Sequence, residues 1–427
     1  MALRKHKKKV RRPKAAKRGG ASRRRQPSRK VARKNGVKPG LSPYQQGHIA
    51  GFEQGRRDGY ARGVENAKTA VAEQPPEAVL SETPATPAPA IGQLDVLVIT
   101  AGHIASLDIG IVQPFRELQK RGDFSFAVHT EEEVSRELIE AAHTIIFLRN
   151  VEPSSFALLE LAHALGKTTV YVIDDNFLEI PANTPVGDYY QVPERKETFR
   201  QFLTHAHIIK VDSPELGSYI EAKFKRKVVY FPASVDFAWL DGVERTSRTS
   251  GQVVIGYEGG SKEEDFVVVV PALRRILDYY GGFITLEFYG YVPAELADHP
   301  NVKHVEGNQE YRSFIRKLKQ SGWDIGIAPL AVHPFNNCKT NNKLREYGAC
   351  GIPGLYTDSP VYRPWIKQGE TGYLVPHTED GWYKGLREMI EDPAMRERIR
   401  VQAEAQARGE FSVEHCAAQW NQHVFRH

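Results

Sequence analysis

Cysteine is scarce in this chain: three in 427 residues, at Cys338, Cys350 and Cys416. They show no metal-ligand spacing and an odd number cannot all pair. That excludes a disulfide framework and points to a reduced, cytoplasmic setting. The chain also lacks any apolar run of the ~20 residues needed to span a bilayer. Its basic beginning has no apolar segment behind it and so does not read as a secretory signal. Acidic residues are missing from positions 1–40, which carry 18 Lys and Arg. The net charge of +6 therefore hides two unlike parts, because the rest of the chain holds 40 basic against 52 acidic residues, a net of −12. The basicity belongs to a tail, and no basic face is implied for the folded body.

What is present falls into six stretches. Segment 1–40 is Lys, Arg, Pro and Gly with little to bury, and is expected to be disordered. It reads either as a contact for an anionic surface or other polyanion, which would place the protein peripherally at a membrane or on a polymer, or as a solubilising tail. Segment 41–70 carries Gly47, Gly51, Gly55, Gly59 and Gly63, with Tyr44, Phe52 and Tyr60 eight apart. Glycine at every fourth position gives a small-residue helix ridge, yet each glycine costs about 1 kcal/mol against alanine. Residues 44–64 thus need a close partner, such as a second copy, or they remain a spacer. Segment 71–92 is a linker rich in Pro and Ala.

From residue 93 apolar runs alternate with helical periodicity. Strands are expected at 94–100, 124–129, 144–148, 168–173, 207–211 and 227–231, with helices near 111–121, 131–142, 153–165, 193–205 and 213–224. After a polar break the alternation restarts. Strands are expected near 252–257, 284–289, 302–305, 323–328, 352–356 and 372–375, with helices near 263–280, 309–320, 341–349, 379–391 and 393–408. The fold class is α/β: two Rossmann-like, doubly wound domains over 93–240 and 241–410, with a last helical segment at 411–427.

The stretch 335–353 carries the most chemistry. Lys339, Lys343 and Glu346 sit at the mouth and first turns of an expected helix, just past the carboxyl end of the strand that leads to Leu330. Ligands bind at that edge in open α/β sheets. Lysines there suit phosphate and a glutamate suits sugar hydroxyls, so the group points to a nucleotide diphosphate-sugar. A bland alternative is a surface ion pair between Lys343 and Glu346. Gly259, Gly260, Ser261 and Lys262 follow an expected strand and open a helix, where bare backbone can approach a diphosphate; a plain strand-to-helix turn is the alternative, since the G-x-G-x-x-G spacing is absent. Asp174 and Asp175 end another strand before a polar loop, 182–191, and could take or orient an acceptor proton, or cap a turn. His103, after the first strand, is an acceptor-side candidate or a loop histidine.

These segments, in this order, resemble the retaining glycosyltransferases of the GT-B type, near the family 4 and family 1 group. The match runs through the glycine loop at 253–262, the Asp174-Asp175 segment, 211–236 and the block of Asn336, Lys339, Lys343 and Glu346 closed by Gly351-Ile352-Pro353. It covers the chain from about residue 94 on. The resemblance implies two domains facing a cleft, donor on the second and acceptor on the first, with a C-terminal helix crossing back. It implies transfer of a sugar from a nucleotide diphosphate-sugar to a glycan, lipid-linked or protein hydroxyl, with retention and with neither metal nor cofactor. Lysines and a helix dipole would then stabilise the leaving diphosphate. Many relatives carry a first glutamate eight positions before Glu346, and here that position is Cys338. A rival reading follows from that loss: an idle GT-B scaffold working through its N-terminal extension. A nucleic-acid binder led by the tail has no recognition motif to support it.

Overall fold

The computed structural model describes residues 92–426 apart from 103, 123, 183, 248–250, 261 and 308–309. The basic segment, the glycine repeat, most of the linker, His103 and Ser261 lie outside the described residues.

The first sheet contains β1 (Leu94–Thr100), β2 (Phe126–Thr130), β3 (Ala142–Leu148), β4 (Thr168–Ile173), β5 (Ile208–Val211) and β6 (Val229–Tyr230) in the order β2-β1-β3-β4-β5-β6. All pairs are parallel, with Thr100 opposite Leu148 and Ile173 opposite Val211. The second sheet contains β7 (Val253–Gly259), β8 (Ile284–Gly290), β9 (Val302–Val305), β10 (Ile325–Ala328), β11 (Gly354–Thr357) and β12 (Tyr373–Val375). Its order is β12-β11-β10-β7-β8-β9, again parallel. The winding reverses between β1 and β3 in one sheet and between β7 and β10 in the other. Clefts open at such points, beyond the carboxyl ends of the strands.

Burial explains why these runs are strands. Val96 to Ile99 in β1 are fully buried, as a parallel strand covered on both faces must be. Helices cover the faces with amphipathic stripes. In Val269–Tyr280, Val269, Leu273, Ile276 and Leu277 share one buried face, and each such side chain stabilises the fold by about 1.5–3 kcal/mol. Ser213, Thr378 and Asp392 cap helices by accepting from Leu216, Gly381 and Met395. Gly322, at φ 60°, ends the helix Tyr311–Ser321 in the left-handed turn that glycine favours.

Two local expectations give way. The helix expected over 263–280 is two pieces, Glu263–Phe266 and Val269–Tyr280. Pro271 has no N–H for the carbonyl of Val267, so the ladder cannot run through. The polar stretch 182–191 contains a helix, Pro185–Tyr190, started by Thr184, whose hydroxyl accepts from Gly187 N–H at 2.9 Å. The helix expected near 341–349 runs over Asn342–Ala349, with Lys339 in the turn before it. At the C-terminus Val413–Trp420 returns to the first domain. Trp420 packs edge-on to Phe115 at 5.1 Å and donates its indole N–H to the Gly110 carbonyl at 2.8 Å.

Candidate functional site

Three loops of the second domain meet at its switch point. β7 ends in Gly259 at φ 140°, a conformation that strains any other residue. A Cβ there would come within 3.2 Å of the Lys343 Nζ, so glycine also makes room for that ammonium. Lys343, on the helix Asn342–Ala349, reaches back to β7. It donates to the Glu258 carboxylate at 2.5 Å and to the Glu258 carbonyl, and lies over the Tyr257 ring at 4.8 Å. Lys343 thus pairs with Glu258 and not with Glu346. Glu346 is buried on the same helix and accepts from the Tyr311 hydroxyl at 3.2 Å. Burial, then the nearby Glu258, pushes its carboxyl up to about 8.

Lys262 follows the glycine loop and lies 3.6 Å from Asp265. Burial, then the charge of Lys339 and more weakly that of Lys343, pushes it down to about 8. Lys339 points at the other domain, 3.5 Å from the Asp175 carboxylate, with its ammonium 4.1 Å from the Phe335 ring. Asn336 plays a bracing part: its amide donates to Asp265 and to the Ala331 carbonyl, both at 3.0 Å, and so fixes the loop after β10. Gly260 has open space where a side chain would stand.

Cys338 stands eight positions before Glu346, where the resemblance implies a glutamate. It is 5% exposed and packs into the apolar cluster of the first domain, where the Asn176 amide meets its sulfur at 3.5 Å. Burial pushes the thiol up, so it is a neutral peg between domains.

Across the cleft, β3 and β4 of the first domain present a second cluster. Asp174 is buried at the end of β4 and accepts from Ser106 Oγ at 2.5 Å and from Arg149 Nε at 2.5 Å, with a second guanidinium nitrogen of Arg149 also bonded. Burial alone would raise its carboxyl, but the Arg149 charge and these bonds hold it below the usual range. Arg149 has a left-handed backbone, φ 57°, which is uncommon outside glycine and clusters at functional sites. Asp175 is the accessible member of the acid pair, with side-chain exposure of 23%, 3.8 Å from Arg149 and 3.5 Å from Lys339. Arg149, Ser106, Glu258 and Asp265 were not anticipated from the sequence. The one available signal was a charge placed directly at the end of an apolar strand, as at Arg149 and Glu258. Among the described residues, no group of three or more His, Cys, Asp or Glu is arranged to hold a metal ion.

No protein-family model matches the sequence, and no curated protein matches it. Solved structures do. HepE from Anabaena, determined with UDP and glucose, superposes with a TM-score of 0.58 at 14% identity, over 78% of this chain and 100% of that one. Sucrose-phosphate synthase from Thermosynechococcus elongatus gives 0.58 at 13%, over 77% and 98%. A glycosyltransferase from Rickettsia africae gives 0.55 at 13%, over 78% and 98%. With two parallel six-stranded sheets and a helix returning from the C-terminus to the first, the described part of this chain has the GT-B fold of those proteins.

Proposed function

We propose that the protein is a glycosyltransferase that moves a sugar from a nucleotide diphosphate-sugar to an acceptor hydroxyl. The observation that carries this is the convergence of Lys262, Lys339 and Lys343 at the switch point of the second sheet, opposite Asp175. In this reading the lysines and the open backbone at Gly259 and Gly260 receive the diphosphate, and Glu346 receives a ribose or sugar hydroxyl. As the glycosidic bond breaks, negative charge builds on the leaving diphosphate, and preorganised ammonium groups lower that barrier. Three ammonium groups can serve where other enzymes place a divalent cation, which supports a reaction independent of metal and cofactor. Asp174 is fully engaged by Arg149 and Ser106, so the acceptor hydroxyl falls to Asp175. Retention of configuration is proposed from the resemblance of the donor block. The UDP bound in HepE makes a uridine nucleotide the first to test.

The acceptor is proposed to be a glycan, a lipid-linked saccharide or a protein. Segment 1–40 is proposed to hold the enzyme at an anionic surface, and residues 44–64 to self-associate. No helix among the described residues is long and apolar enough to cross a membrane. The buried Cys338 favours a second reading, an idle scaffold, because the first glutamate's contact is missing.

Nucleoside diphosphate release from a panel of UDP-, GDP-, TDP- and CDP-sugars separates the two readings. We expect one donor to be consumed. Lys343→Ala is expected to lower kcat/KM roughly 10- to 150-fold, since a charge-assisted hydrogen bond contributes about 1.5–3 kcal/mol, and Glu346→Ala roughly 2- to 12-fold, since a hydrogen bond to its protonated carboxyl contributes about 0.5–1.5 kcal/mol. Unchanged kcat/KM in both variants would sink the site assignment, and no turnover of any donor would leave the scaffold.

A further inference from the structure

Each lysine of the seat already has a carboxylate: Asp265 for Lys262, Asp175 for Lys339 and Glu258 for Lys343. The three acids differ in what else holds them. Asp265 also accepts from the Ala331 N–H at 2.7 Å and the Asn336 amide at 3.0 Å. Asp175 keeps the Arg149 guanidinium at 3.8 Å. Glu258 is 7% exposed, and among the described residues Lys343 is the donor that reaches its carboxylate. Glu346 stands close by and brings no positive charge. An incoming diphosphate therefore has to draw the Lys343 ammonium from a buried carboxylate that, among the described residues, has no second ion-pair partner within 4 Å. Leaving such a charge unpaired is costly.

We propose that Glu258 is a positioning residue acting through Lys343. With the seat empty it parks the lysine at the mouth of the glycine loop, where the ammonium lies against Gly259. With a nucleotide present it competes for that lysine, lowers the affinity for the nucleoside diphosphate and speeds its departure after transfer. This rests on reading the seat as a nucleoside diphosphate site.

The two partners of one ion pair should then act with opposite sign. Removing the charge of Lys343 weakens nucleotide binding, while removing that of Glu258 tightens it. A merely structural pair would weaken binding from either side. The experiment is calorimetric titration of the full chain with UDP, GDP, TDP and CDP, on wild type, Lys343→Gln, Glu258→Gln and Glu258→Met, with circular dichroism to verify folding. We expect the best nucleotide to bind about tenfold more tightly to both Glu258 variants and about tenfold more weakly to Lys343→Gln. The Glu258 variants should also show a steeper fall of affinity with salt, because the seat gains one net positive charge. If the Glu258 variants bind as wild type or more weakly while Lys343→Gln loses affinity, the competition is wrong and the nucleotide seat stands. If no nucleotide binds wild type, or Lys343→Gln binds as wild type does, the seat itself is wrong and this proposal falls with it.

Discussion

Glu346 is a carboxyl group buried beside Glu258, and its environment favours the protonated form up to about 8. Between its ordinary 4.5 and that value the native protein holds a proton that the unfolded chain releases. The stability contributed at this residue therefore falls as pH rises through that window. Melting temperatures of wild type and Glu346→Gln from about pH 5 to about pH 8 test the sign. Wild type should lose ground to the variant with rising pH, and parallel curves would contradict the assignment. Lys262 works at the same pH from the other side, because above about 8 it loses the charge proposed to draw a diphosphate. The acid pair of the first domain divides in a different way. Asp174→Ala leaves the half-buried Arg149 guanidinium without its main partner, and the loss is expected to approach the lower end of the roughly 3–5 kcal/mol that breaking a fully buried pair costs. Asp175→Asn sits at the accessible edge and should lower transfer with little effect on stability and no weakening of nucleotide binding. Urea denaturation beside a transfer assay distinguishes the two, and an equal loss of stability in both would contradict the division.

At the scale of elements, β7 is the strand on which the seat depends. It lies between β8 and β10 at the switch point, and its Gly256 lets the Trp323 ring pack directly against the strand. A Cβ at Gly256 would fall 1.8 Å from that ring. Gly256→Ala is expected to cost about 3 kcal/mol or more, read from denaturant midpoints, because the new methyl would overlap a fully buried indole. A cost under about 1 kcal/mol would mean that the ring can shift. These elements were legible in the sequence because parallel strands buried on both faces write themselves as unbroken apolar runs. The helix break before Val269 was less so, since periodicity continues across it while the hydrogen bonds do not. The site was legible in one half only. Spacing places Lys343 and Glu346 on one helix, but Glu258 lies 85 residues from the lysine it binds, and Arg149 lies 25 from Asp174. Contacts between strand ends are made by topology, and no local pattern records them. Lys339 stands in the turn before the helix and faces the other domain, a direction that its distance along the chain from Lys343 does not reveal.

At the scale of the molecule, charge separates the chain into a basic segment at 1–40 and a body of net −12. A chain starting near residue 92 is expected to keep nucleotide binding and turnover on a soluble acceptor. It is expected to lose salt-sensitive binding to anionic vesicles, to which each nearby Lys or Arg contributes up to ~1 kcal/mol. Loss of turnover by a folded shortened chain would make the extension part of the catalytic machinery. The central claim is that the lysines at the second sheet's switch point are the seat of a nucleotide diphosphate, and a crystal of the protein soaked with UDP tests it most directly. Difference density for the two phosphates is expected against Gly259 and Gly260, within hydrogen-bonding distance of Lys262, Lys339 and Lys343, with the Glu258–Lys343 contact lengthened. Density for the nucleotide elsewhere, or an empty seat with all three lysine–carboxylate pairs intact at saturating UDP, would contradict it.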